Sequence, residues 1–165
     1  MRILLDEYLL LPAGFEVGDA TERIAAGDPP EAVLAIGDEA LLLRAHPAYP
    51  HKLDLGEAWR RHTGLPFIFG VWVASRKSLE RDPDGLRTAC RALVAAKRLG
   101  LENLDEIARL AARKTGLAEP EMRSYFQGLA FDLGEEERRG LTLFFERLAR
   151  SRMIARAPEL QFVDL

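Results

Sequence analysis

Cysteine is nearly missing from this 165-residue chain. Cys90 stands alone, which excludes an intramolecular disulfide and any cysteine metal cluster. Its neighbours Ala89, Ala92 and Leu93 fit a helical core thiol better than a nucleophile, because no base stands near it. Histidine is scarce too. His46 and His51 lie in a Pro-rich loop, off the i, i+4 spacing that puts two imidazoles on one helix face, and no metal is expected. There is no excess of basic residues: 23 Lys and Arg against 26 Asp and Glu give a formal charge of −3. That balance argues against the footprint of a nucleic-acid binder or a polybasic membrane patch, so neither partner is expected. Long apolar runs are missing as well. Asp6 and Glu7 interrupt the apolar start, no small-residue cleavage site follows, and the stretch is too short to span a bilayer. The chain is expected in the cytoplasm. No P-loop, GxGxxG, HExxH or GxSxG motif is present, which removes several enzyme classes.

What is present reads as α/β in the first half and helical in the second. Residues 2–11 form an apolar-faced helix with no N-cap before it. Phe15, Glu16 and Val17 suit a short strand, Asp19 caps a helix over 21–26, and Gly27, Asp28, Pro29 and Pro30 make a turn. Residues 32–36 are a continuous apolar run of the kind found in a strand covered on both faces. Gly37 and Asp38 then lead into a helix carrying Leu41 and Leu42, with Asp38 placed to cap it. In open α/β sheets, ligands bind beyond the carboxyl ends of strands, where such turns lie. Gly37 and Asp38 therefore read either as a ligand site or as a plain turn and cap. A short helix over 54–61 carries Leu55 and Trp59 on one side.

The strongest strand pattern is PFIFGVWVAS, residues 66–75. Phe67, Phe69, Val71 and Val73 share one face, and Ile68, Gly70, Trp72 and Ala74 the other. Gly70 leaves a gap against which a flat ligand or a neighbouring backbone fits, while Trp72 in such a strand is ordinarily a core residue. Helices follow over 86–99 (ending at Gly100), 104–115 (ending at Gly116), 120–128 and 135–153. The arginines of the last helix are interleaved with glutamates, as on a solvated face. The tail 158–165 reads as a loose strand or as disorder. Residues 104–126 resemble a helix-turn-helix, but Glu119 and Glu121 front the would-be recognition helix and would repel phosphates.

The runs LAIGDEALLL, DLGEAWRRHTGLPFIFGVWVASR and MRSYFQGLAFDLGEEERRGLTLFFERLA resemble the futalosine-pathway menaquinone-biosynthesis family, whose founding activity is chorismate dehydratase. The resemblance implies a two-lobed fold like type II periplasmic binding proteins, of which this chain carries the later part and lacks most of the first lobe. It implies an incomplete distal α/β lobe over 1–64, a crossover strand with C-terminal helices over 65–157, and a tail over 158–165. It further implies conversion of chorismate to 3-enolpyruvylbenzoate and water without metal or organic cofactor. Gly37, Asp38, Thr63, Phe69 and Trp72 are the substrate-binding residues expected on this basis, and no catalytic residue is assigned. Activity by this chain alone is not expected, because half of the ligand cleft belongs to the first lobe. A partner chain supplying that lobe, or self-association, is expected. The alternative is a non-catalytic binding domain for a small aromatic carboxylate.

Overall fold

A computed structural model describes residues 1–163 and divides the chain into two compact units, Met1–Gly64 and Leu65–Leu165. In the first unit a π-helix, Leu4–Leu9, packs on α3, Leu55–Thr63. Ile3, Leu4, Ala58 and Trp59 form the buried centre of that contact, with Trp59 only 1% exposed. A side chain of this size contributes a large share of a small core's apolar burial. The π-helix ends where Leu10 takes the left-handed conformation (φ 52°). Asp54 caps α3 by accepting a hydrogen bond from the Glu57 amide at 2.9 Å, and Gly64 at φ 73° stops it. The short α1, Ala20–Ala25, is capped in the same way by Asp19, whose Oδ1 accepts from the Glu22 amide at 2.9 Å. α2 spans Gly37–Leu43.

The second unit is built from α4 (Arg76–Arg81), α5 (Pro83–Glu102), α6 (Leu104–Thr115), α7 (Glu119–Gln127) and α8 (Glu135–Arg150). Ser75 and Asp82 cap α4 and α5 through the amides of Ser78 and Gly85. α6 and α7 pack on one another, and Ala108 and Met122 are the buried residues of the pair. Gly116 at φ 75° closes α6, and the Thr115 hydroxyl meets Met122 Sδ at 3.7 Å across the turn. An ion pair joins Arg123 to Asp105. α5 runs two residues past Gly100, because that glycine does not take the left-handed φ that would stop it.

The α/β expectation is corrected here. Among the described residues there is no β-strand and no bridge; residues 15–17, 32–36 and 66–75 have no ladder. An extended segment becomes a strand only when a neighbour accepts and donates its backbone hydrogen bonds, and no second extended segment is paired to these. The alternating burial expected along 66–75 is replaced by a gradient. Phe67 and Ile68 are half-buried, whereas Phe69, Val71, Trp72 and Val73 are all exposed. Trp72, ordinarily a core residue in such a strand, is 70% exposed.

Candidate functional site

In the first unit the chain enters α2 through Gly37 at φ 60°, a conformation that glycine adopts without a Cβ penalty. The expected cap at Asp38 is not formed. Ile36 holds the cap position with no side-chain hydrogen bond, and Asp38 already lies inside the first turn. A capping carboxylate must precede the helix to reach back to the amides of its first turn, and Asp38 starts too late in the chain to do so. It is exposed, and among the described residues it has no hydrogen bond or ion pair. Its charge near the helix start is still favourable to the helix dipole.

Thr63 is the last residue of α3, half-buried, and its hydroxyl donates to the Trp59 carbonyl oxygen at 2.8 Å. That hydroxyl serves the helix end. On the residue before it, the ring of His62 stacks on Tyr8 of the π-helix, with centroids 4.5 Å apart and planes at 20°. Sequence reading left this pair unremarked, and no spacing signals it, because 53 residues of chain lie between partners that only the fold brings together.

A shallow open groove of about 620 Å³ lies between the start of α1 and α2. Asp19, Glu39, Leu42, Leu43 and His46 are among its lining residues. The Asp19 carboxylate is occupied as the α1 cap, and His46 Nδ1 accepts from the Ala48 amide at 3.2 Å. Two carboxylates on its wall set this groove against an anionic ligand. None of the sequence-derived site residues lines it.

In the second unit, residues 65–67 dock on α8. A Cβ at Gly140 would collide with the Pro66 carbonyl oxygen, so the backbone of the segment lies directly on the helix at that glycine. Phe67 meets Phe144 edge-on with centroids 5.0 Å apart, and Phe69 meets Phe67 edge-on at 4.8 Å. These are the favourable T-shaped geometries of aromatic pairs. Beyond that anchor the segment stands clear: Phe69 is 76% exposed and Val73 more so. The anchoring glycine was also missed in the sequence. Its signal was an isolated Gly in a helical pattern, flanked by Arg139 and Leu141.

The described residues thus define two helical units, one presenting an uncommitted carboxylate at Asp38 and the other an anchored but exposed aromatic segment. Among them no group of three His, Cys, Asp or Glu residues is arranged to hold a metal ion, and no helix is long and apolar enough to cross a membrane. Comparison with known proteins places the chain. It belongs to the menaquinone biosynthesis family, whose model matches residues 1–150. Among curated relatives, it is 35% identical over 163 residues to a chorismate dehydratase of Thermus thermophilus. That alignment takes in 90% of this chain and 57% of the relative, so the chain spans little more than half of that protein's length.

Proposed function

We propose that this chain forms part of a chorismate dehydratase, which removes water from chorismate to give 3-enolpyruvylbenzoate. The observation that carries the reading is the 35% identity to a protein of that activity over 90% of the chain. The reaction takes a proton from a ring carbon while hydroxide leaves a neighbouring one. The electrons of the broken C–H bond become the new ring double bond, and the departing hydroxide takes up a proton as water. Aromatisation supplies the driving force, so the protein's task is positioning, proton handling and exclusion of water.

Asp38 and Trp72 suit two parts of that task. A carboxylate without an intramolecular partner accepts a hydrogen bond from the substrate hydroxyl or takes the ring proton. It does not bind the substrate carboxylates, which like charge keeps away. Trp72 and Phe69 offer flat faces on which a ring becoming planar stacks. Gly37 supplies the turn before Asp38, and Thr63 contributes as the end of α3. In this reading the complete protein has the two-lobed fold of type II binding proteins, and pairing within its sheet covers residues 32–36 and 66–75. The substrate is a small aromatic-type carboxylate, and no cofactor takes part.

The test uses a polypeptide extended to the length of the Thermus relative, with chorismate affinity and turnover as readouts. Asp38→Asn is expected to abolish most turnover while leaving the unfolding temperature nearly unchanged, because no hydrogen bond is lost. Trp72→Phe is expected to weaken chorismate binding about tenfold, a difference of about 1.4 kcal/mol. Wild-type affinity and turnover in both variants would remove these residues from the site.

A further inference from the structure

We propose that the segment after α8 is a strap that doubles back along the helix and is fastened by Phe162 on Arg138. The family match ends at residue 150, and the reversal begins with the next residue. The Arg152 amide donates to the Ala149 carbonyl at 3.0 Å and the Met153 amide to the Leu148 carbonyl at 2.9 Å. Arg152 between them takes a left-handed conformation, φ 57°. This pair of bonds around a left-handed residue turns a chain back at a helix end. It normally uses glycine, so an arginine there marks a reversal held by something beyond local preference.

The holding contact lies at the other end of α8. The Arg138 guanidinium sits over the Phe162 ring, 4.2 Å from its centroid, and Arg138 Nε donates to the Leu133 carbonyl oxygen at 3.1 Å. Arg138 therefore ties together the loop before α8, the first turns of that helix and the returning tail. From Arg138 to Arg150 the helix rises about 18 Å, a distance that the residues after 152 cover easily in extended form. Leu160 and Val163, flanking Phe162, are half-buried, as expected of a segment lying on a surface. Gly134 precedes α8 as its N-cap residue without a side-chain hydrogen bond, and the strap adds order at the end of the helix that its own sequence leaves uncapped. A guanidinium over a phenyl ring at an exposed site is a weak contact, so the strap is fastened reversibly. The inference is independent of any reading of the reaction.

Arg156, exposed between the reversal and Phe162, is a built-in reporter, because trypsin cleavage after it needs the chain around it free to extend and is expected to quicken when the strap lifts. The experiment follows appearance of the fragment cut at Arg156 by mass spectrometry on the full chain under native conditions. Phe162→Ala and Arg138→Ala are each expected to speed that cleavage several-fold, and the double variant no further than either single. Phe162→Leu, which keeps apolar bulk but removes the ring, and Arg138→Lys, which keeps the cation, are expected to fall between. Hydrogen exchange of the amides in residues 133–138 is expected to quicken in Phe162→Ala, a change confined to the tail that leaves every helix intact. Equal cleavage rates in wild type and Phe162→Ala would overturn the strap. So would additive effects of the two alanine changes, or exchange in 133–138 that ignores Phe162.

Discussion

The contact between Gly140 and the Pro66 carbonyl fixes where the exposed aromatic segment leaves α8, and Gly140→Ala tests it. On an isolated helix the change would stabilise by about 1 kcal/mol, since alanine is the better helix former. Here the new Cβ would overlap a backbone oxygen, with the carbonyl carbon 3.3 Å away. A side-chain tip would swing aside, but a carbonyl moves only with its chain. Forcing an atom into such a contact costs about 1–3 kcal/mol. Lifting residues 65–67 also weakens the Phe67–Phe144 pair, worth about 0.5–1.5 kcal/mol beyond its burial. The sum is a net loss of about 0.5–3.5 kcal/mol, which for a chain of this size lowers the unfolding temperature by roughly 1–14 °C. Thermal unfolding followed by far-ultraviolet circular dichroism measures it, and the Phe67 environment is read from near-ultraviolet dichroism. An unfolding temperature that rises, as propensity alone dictates, would refute the close approach of segment and helix.

Two further outcomes follow from the same structure. Asp54→Ala is expected to destabilise by about 1 kcal/mol by removing the cap of α3, on which Trp59 rides, whereas Asp54→Asn costs only a few tenths; a denaturant titration that finds the two variants equal would contradict the capping role. The exposed run Phe69, Val71, Trp72 and Val73 is expected to drive self-association of the chain as it stands, relieved by lysine at 72 and 73. Light scattering across a concentration series checks this, and a clean monomer throughout would count against it.

The helices were legible in the sequence because their signals are local. Asp19 stands where a cap stands and Gly116 where a left-handed stop stands, and the structure uses both so, whereas Asp54, expected as the first residue of its helix, is instead the cap. Gly100 misled because a glycine stops a helix only where it takes a left-handed φ, and Gly100 stays inside α5. α4 was missed: six residues behind Ser75 are too few for a periodicity to show. The strands failed for a different reason. PFIFGVWVAS carries the alternation of a strand, but a strand is a relation between two segments, and among the described residues no strand lies beside it. The same limit governs the site. Asp38 and Trp72 could be named from residue type and pattern, yet the cap expected of Asp38 depended on a later helix start, and the burial expected of Trp72 on a strand that is not assigned among the described residues.

The most direct test of the account is chorismate turnover, with 3-enolpyruvylbenzoate separated and quantified by chromatography. Two samples are compared: this chain alone, and the chain joined to the part of the Thermus relative that lies outside the 57% it matches. The account predicts no product above the uncatalysed background from the chain alone, and sustained product formation from the joined polypeptide that collapses with Asp38→Asn. A joined polypeptide that folds but leaves chorismate untouched would contradict the proposed activity, and turnover by the chain alone would contradict the proposal that its activity depends on residues it does not contain.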